Sequence, residues 1–311
     1  SMYLGKTTMA TAKELVGDDV AQSVAPRRVH TVSYDEIRAA NIEQAKKGAK
    51  LLLDSAKMAS HPYMDKKGFG GEWLTNGDPM INYGGITQPG ELLLVPIYKA
   101  GELVNVQKIK ADGEKRPLTG GDMQGVYHPI DGKTKNIAIV EGFATGVTIN
   151  KATGWKTYVS FNTANLAAAV KTAKDEHPEA AIIIFGDHDD LDEKHDWRPG
   201  EHWANEAAAA YGAGVVLPDM QDKKCDWDDY RQEHGMDVLK SVLREKVADE
   251  LRVIKPQPVK KPQPVQQPVP SVPEQKPQLT PETAPAFGSW NAVPEVAAKP
   301  TKIKSVSDLP E

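Results

Sequence analysis

Across 311 residues there is one cysteine, Cys225. A single thiol excludes an intramolecular disulfide and any zinc site built from several cysteines; the plain reading of Cys225 is a partly buried thiol without chemistry. No apolar run approaches the ~20 residues needed to cross a bilayer, and no basic segment followed by an apolar stretch opens the chain. A soluble, cytoplasmic protein with no membrane partner is expected. Positive charge is not in excess either: 38 Lys+Arg stand against 43 Asp+Glu, a net charge of -5, which excludes coating of nucleic acid by bulk electrostatics. The Gly-x-x-x-x-Gly-Lys-Ser/Thr spacing of a nucleotide phosphate loop does not occur.

The charge that is present is unevenly placed. Residues 1–135 carry 18 Lys+Arg against 16 Asp+Glu, whereas residues 136–252 carry 13 against 22. Carboxylates crowded into one fold repel one another unless cations neutralise them, so the acidic half points towards a metal site, although a solvated acidic surface accounts for most of those residues. Proline is the other uneven residue, with 13 of 23 in the last 59 positions beside a repeated Lys-Pro-Gln-Pro-Val. Such a segment cannot bury enough apolar surface to offset its ordering entropy, so residues 253–311 read as a disordered, polyproline-like tail. Phe287-Gly288-Ser289-Trp290 is its one aromatic island and a candidate docking motif.

Four segments follow: a weakly ordered 1–32, a mixed unit at 33–135, an alternating unit at 136–252 and the tail. Ser33 followed by Glu36 has capping-box spacing, and apolar positions from Ile37 to Ala56 predict a helix over 34–59. Six glycines between Gly68 and Gly85 then predict a loop-rich stretch. Residues 92–97 and 103–109 flank Lys99-Ala100-Gly101 as an antiparallel hairpin, with Asp112-Gly113 as a second turn. Residues 115–118 and 126–128 would add short strands to the same unit. Beyond Lys135, strands at 137–140, 157–161, 181–185 and 215–217 alternate with helices at 144–151, 164–176, 203–211 and 236–252. That alternation predicts a mainly parallel sheet covered on both faces, with its site at the carboxyl ends of the strands.

Two strand ends carry the chemistry. Ile137-Ala138-Ile139-Val140-Glu141-Gly142 delivers a carboxylate at the end of an apolar strand, and the glycine permits a tight turn into a helix. Forty-six residues later Ile182-Ile183-Ile184-Phe185-Gly186-Asp187-His188-Asp189 repeats the design. Two strand ends that present three carboxylates in one region suit Mg²⁺, which takes oxygen ligands and keeps positions for water and phosphate. Hard Mg²⁺ leaves His188 and His195 outside that ligand set.

These two motifs, Glu141-Gly142-Phe143-Ala144-Thr145-Gly146 and Asp187-x-Asp189, resemble the signatures of Toprim domains. Phe161-Asn162-Thr163-Ala164-Asn165-Leu166 and the upstream blocks His61-Pro62-Tyr63-Met64-Asp65-Lys66-Lys67-Gly68, Leu94-Val95-Pro96, Gln107-Lys108-Ile109 and Asp112-Gly113-Glu114-Lys115-Arg116 are similar to DNA primases of plasmids and satellite phages. The likeness spans about residues 36–245. It implies an α+β fold: a mixed primase-like subdomain with a long helix and hairpin, then a Toprim α/β subdomain.

The implied activity is RNA primer synthesis on a single-stranded DNA template from ribonucleoside triphosphates, in plasmid or phage replication or conjugative transfer in a bacterial host. Glu141 would be catalytic and a metal ligand, Asp187 and Asp189 would hold Mg²⁺ (or Mn²⁺), and Asp190 and Asp229 would be auxiliary carboxylates. Asp229 belongs to Asp226-Trp227-Asp228-Asp229-Tyr230, which resembles an acidic block of the subgroup and reads equally well as a helix cap. Lys67, Lys108, Lys115 and Arg116 would bind nucleotide or template phosphates. Tyr63, Phe69, Trp73 and Tyr83 are candidates for base stacking, with at least two expected in the core. A replicative helicase or other replication protein would be reached through the Pro-rich tail. Departures from the pattern are the missing zinc module and the missing helicase phosphate loop. A Toprim nuclease and a non-catalytic DNA- or partner-binding accessory protein are the rival expectations.

Overall fold

The structure, a computed structural model, describes residues 33–82, 85–219 and 223–254. Expectations for residues 1–32, for Tyr83, and for the tail from residue 255 with its aromatic island lie outside these residues.

The first helix, α1 (Tyr34–Asp54), starts where the capping box predicts: Ser33 Oγ accepts from Glu36 N–H at 3.2 Å and the Glu36 carboxylate accepts from Ser33 N–H at 2.7 Å. It ends earlier than its apolar pattern predicts. Lys57–Ala59 (β1) turn into an edge strand against Trp73–Thr75 (β2), with Thr75 Oγ1 donating to Lys57 O at 3.0 Å. Gly77 closes on the helix end so tightly that a Cβ there would sit 1.7 Å from Ser55 O.

After the short helix α2 (Pro62–Lys66), the expected loop region contains β2 and a small pair, β3 (Met80–Asn82) with β4 (Gly85–Thr87). Buried Asn76 organises it, accepting from Leu92 N–H and donating to Asp78 O and Gln88 O.

The hairpin forms as expected from β5 (Leu93–Lys99) and β6 (Glu102–Ile109). Its two-residue turn has both φ values positive, 49° at Ala100 and 81° at Gly101, matching the twist of the flanking strands. With β7 (Lys115–Pro117) these strands build an antiparallel sheet of order β1-β2-β5-β6-β7. Small Ala49 lets α1 lie against Leu92, Leu94 and Val106 on one face.

The second sheet has order β12-β11-β9-β10-β8, from β8 (His128–Ile130), β9 (Lys133–Val140), β10 (Trp155–Val159), β11 (Ala181–Phe185) and β12 (Gly214–Val216). All neighbours run parallel except β8, antiparallel to β10. Here residues 126–128 depart from expectation. Instead of extending the first sheet, His128 begins the edge strand of the second, while Tyr127 exchanges backbone hydrogen bonds with Tyr98 of β5 at 2.8 and 2.9 Å.

Alternation along the buried strands assigns the two faces. Ala138, Val140, Ile183 and Phe185 pack against α3 (Phe143–Thr153) and α7 (Met236–Val253), whereas Ile137, Ile139, Ile182 and Ile184 pack against α4 (Leu166–Glu176) and α5 (Pro199–Tyr211). A helix that periodicity did not predict, α6 (Trp227–His234), is started by Asp226, which caps Asp228 N–H and Asp229 N–H at 2.7 and 2.8 Å.

Asp228 is fully buried and saturated with donors. Lys67 Nζ (2.7 Å), Arg231 (2.8 and 3.0 Å), Thr148 Oγ1 (2.7 Å) and Gln232 Nε2 (2.9 Å) all reach its carboxylate. Burial alone would raise the carboxyl, but these partners hold it below the ordinary range. Arg231 also donates to Lys67 O at 2.5 Å, so the network ties the turn after α2 to α3 and α6.

Removing one partner of such a network strands the others in low dielectric. Asp228→Ala should therefore lose about 3–5 kcal/mol in urea unfolding, and Asp228→Asn less. A loss under about 1 kcal/mol for the alanine variant would show that the network does not hold these elements together.

Candidate active site

Glu141 follows β9 and Asp187 lies two residues past β11, on adjacent parallel strands, so their carboxylates emerge at the same sheet edge. The β9–β10 pairing continues through Ser160 N–H to Val140 O and Phe161 N–H to Glu141 O, which fixes the Glu141 backbone. Phe161 has a φ of 67°, a left-handed conformation unusual for an aromatic residue. Buried Asn165 supports that corner, donating to Ser160 O and Met123 O and accepting from Gly125 N–H.

The Asp187-His188-Asp189 loop is held from two sides. His188 exchanges backbone hydrogen bonds with Cys225 at 2.9 Å each, which draws Asp226 and Lys224 to the cluster. From the other side, Gly200 N–H in the first turn of α5 donates to Asp189 Oδ2 at 2.8 Å, and Arg198 donates to Asp189 O. A Cβ on Gly200 would lie 2.5 Å from Asp187 O and 2.9 Å from Asp189 Oδ2, so glycine is required for this approach.

Crowding shows in the acidity of these groups. Burial, then Asp226, Glu141 and Asp189, push Asp187 well above the ordinary carboxylate range, with Lys224 opposing. Glu141 is raised by burial and by Asp189, with Lys224 and Lys115 opposing. Asp226 is raised chiefly by burial. Lys224 Nζ pairs with Asp189 Oδ1 at 2.8 Å.

Glu141, Asp187 and Asp189 are thus brought together; Asp226, read in sequence only as the first residue of the acidic block at 226–230, joins them, as does Lys224, which the sequence reading missed. Asp190 is exposed beside Lys224. Asp229 caps α6, accepting from Asp226 N–H at 3.4 Å, and stays 4.0 Å from Lys67.

The four basic candidates separate. Lys115 sits over the Tyr63 ring at 5.9 Å, and its charge reaches Glu141. Lys67 is engaged by Asp228. Lys108 and Arg116 oppose each other across β6 and β7; since Ile109 and Lys115 oppose each other one position on, the first pair occupies the other face of the sheet. Glu114 accepts from Arg116 and Lys110 there, which holds its carboxyl down at about 2. Tyr63 and Phe69 are core residues, and half-buried Trp73 packs edge-on against Phe143. Cys225 is buried, its thiol pushed up to about 11.

Among the described residues, no three His, Cys, Asp or Glu side chains stand ready-placed as a cation cage. The cluster nonetheless fits an oxygen-bound cation. Asp187 Oδ1 is enclosed without a hydrogen-bond partner among the described residues, and the surrounding donors are carboxylates. No described helix is long and apolar enough to cross a membrane.

Residues 136–237 match the family described as Toprim domain. DNA primase TraC of Escherichia coli is 29% identical over 165 residues, which cover 50% of this chain and 15% of that protein; the chain therefore spans under a fifth of that relative's length. Among solved structures, the DnaG primase catalytic domain bound to ssDNA matches with a TM-score of 0.43 at 12% identity, covering 67% of this chain and 82% of that one. A DNA primase domain from Pseudomonas aeruginosa matches with a TM-score of 0.37 at 14% identity, covering 76% and 77%.

The raised carboxyl of Asp187 sets a pH-dependent stability of definite sign. Folded Asp187 binds a proton more readily than the unfolded chain, so ionising it costs stability as pH rises through the folded value. Asp187→Asn removes that cost: in metal-free buffer the variant should melt above the parent at neutral pH, with the gap closing as pH falls towards the ordinary aspartate value. Lower melting of the variant at neutral pH would mean that the carboxylate is compensated rather than crowded.

Proposed function

We propose that the chain, whose residues 136–237 match the Toprim domain family, is the catalytic part of a DNA primase of the mobile-element type, making RNA primers on single-stranded DNA during plasmid or phage replication or conjugative transfer. Residues 33–135 form its primase-like subdomain and residues 136–252 its Toprim catalytic subdomain. The observation that carries this reading is the convergence of Glu141, Asp187, Asp189 and Asp226 at one sheet edge, with Lys115 and Lys224 as the cations that reach them. Similarity to a protein named as a DNA primase supports the reading.

Asp187, Asp189 and Glu141 are the residues that would hold Mg²⁺, which Mn²⁺ could replace; when bound, it supplies charge neutralisation for a triphosphate and for the developing negative charge of phosphoryl transfer. Glu141, with its raised carboxyl, is suited to take the proton from an attacking 3′-hydroxyl as pyrophosphate leaves. Lys115, held over Tyr63, offers a cation to incoming phosphate oxygens. Lys67 acts through Asp228, holding α6 and hence Asp226 in place. Lys108 and Arg116 lie on the opposite face of their sheet and would meet a template strand there rather than the reacting phosphates. Partners are single-stranded DNA, ribonucleoside triphosphates and, through the Pro-rich tail, a replicative helicase or another replication protein.

The test incubates the protein with single-stranded DNA, labelled ribonucleoside triphosphates and Mg²⁺. Short RNA products should form with the parent and fall at least roughly a hundredfold in Glu141→Gln and Asp187→Asn. DNA cleavage without synthesis would replace this reading with that of a nuclease, and DNA binding with neither reaction under Mg²⁺ or Mn²⁺ would reduce it to an accessory protein.

A further inference from the structure

We propose that Lys224 is a tethered cation that keeps the place of the divalent ion at Asp189 and passes to the substrate phosphates when the ion enters, making metal and nucleotide binding interdependent. The proposal rests on the reading of this cluster as a metal-dependent nucleotidyl-transfer site.

The two oxygens of Asp189 have different tasks. Oδ2 is taken by Gly200 N–H at 2.8 Å, inside the packing of α5. Oδ1 is the oxygen left to bind a metal, and Lys224 Nζ stands 2.8 Å from it. An ammonium and a divalent ion on one oxygen repel each other at such range, so entry of the ion weakens the Lys224–Asp189 pair and favours departure of the lysine.

Lys224 is free to do so. Its side chain is 66% exposed, whereas Lys67, engaged with Asp228, is 23% exposed. Its backbone is not free, because the next residue, Cys225, is paired through its main chain to His188. The displaced ammonium therefore remains within one flexible stem of Asp187, Asp189 and Asp190, all of which act on it. A triphosphate arriving at that mouth brings the negative charge that the lysine has lost, and three N–H donors are available to it. The ion alone must displace Lys224 without recompense; the ion with nucleotide supplies the lysine with a new partner.

The experiment uses the full chain and calorimetry. MgCl₂ is titrated into the parent, Lys224→Met, Lys224→Arg and Asp187→Asn, with and without an α,β-methylene ribonucleoside triphosphate, after melting curves confirm folding; Lys224→Gln substitutes if the methionine variant is misfolded. Lys224→Met should bind Mg²⁺ alone roughly three- to tenfold more tightly than the parent. The parent should gain Mg²⁺ affinity when the triphosphate is present, Lys224→Arg should keep that gain, and Lys224→Met should lose it. Equal or weaker Mg²⁺ binding by Lys224→Met, with binding by the parent abolished in Asp187→Asn, would overturn this proposal and leave the metal-site reading standing. Absence of Mg²⁺ binding in every protein, with and without nucleotide, would overturn both.

Discussion

The carboxylate of Asp228, sealed from water and surrounded by Lys67, Arg231, Thr148 and Gln232, is the interaction on which the rest of the structure depends. An ion in that position is tolerable only when its lone pairs are satisfied, and the donors come from three separate stretches of chain. By holding α6 against α3, the network fixes the helix whose cap, Asp226, faces Glu141 and Asp187. By holding Lys67, it also fixes the short helix carrying Tyr63, the ring beneath Lys115. One buried charge thus sets the positions of an acidic and a basic member of the same site.

Around that anchor the molecule divides its charges by burial. At Asp228 the partners outweigh burial and the carboxyl is held low; at Asp187 burial and like charge act together and it is held high. The first is a closed, satisfied ion group. The second is enclosed but unsatisfied, with an oxygen that lacks a hydrogen-bond partner among the described residues. That contrast sorts the carboxylates more clearly than their places in the sequence do, since Asp226, Asp228 and Asp229 are near neighbours with different surroundings.

What was legible in the sequence was what local periodicity encodes. The capping box at Ser33 and Glu36, the Ala100-Gly101 hairpin, the apolar strands ending at Glu141 and near Asp187, and the alternation of strand and helix all appear where they were read. What was not legible depends on distant pairing. The end of α1 is decided by β2, some twenty residues on, and the fate of residues 126–128 by β10. Asp226 and Lys224 flank Cys225, whose backbone bridge to His188 brings them to the site and leaves no mark on either segment alone. Lys67 reads from its sequence block as a phosphate-binding cation, and its burial against Asp228 follows from a contact between residues 161 positions apart.

On the reading of this cluster as a divalent-metal site, the amide of Gly200 bears on which ions it would take. With Oδ2 accepting that N–H, Asp189 would offer Oδ1 more readily than both oxygens together. Larger ions such as Ca²⁺ gather six to eight oxygens and draw readily on bidentate carboxylates, whereas Mg²⁺ is content with single oxygens and retained water. A backbone hydrogen bond on the side of Asp189 away from its lysine would thereby favour the smaller ion through denticity rather than through the width of any cavity.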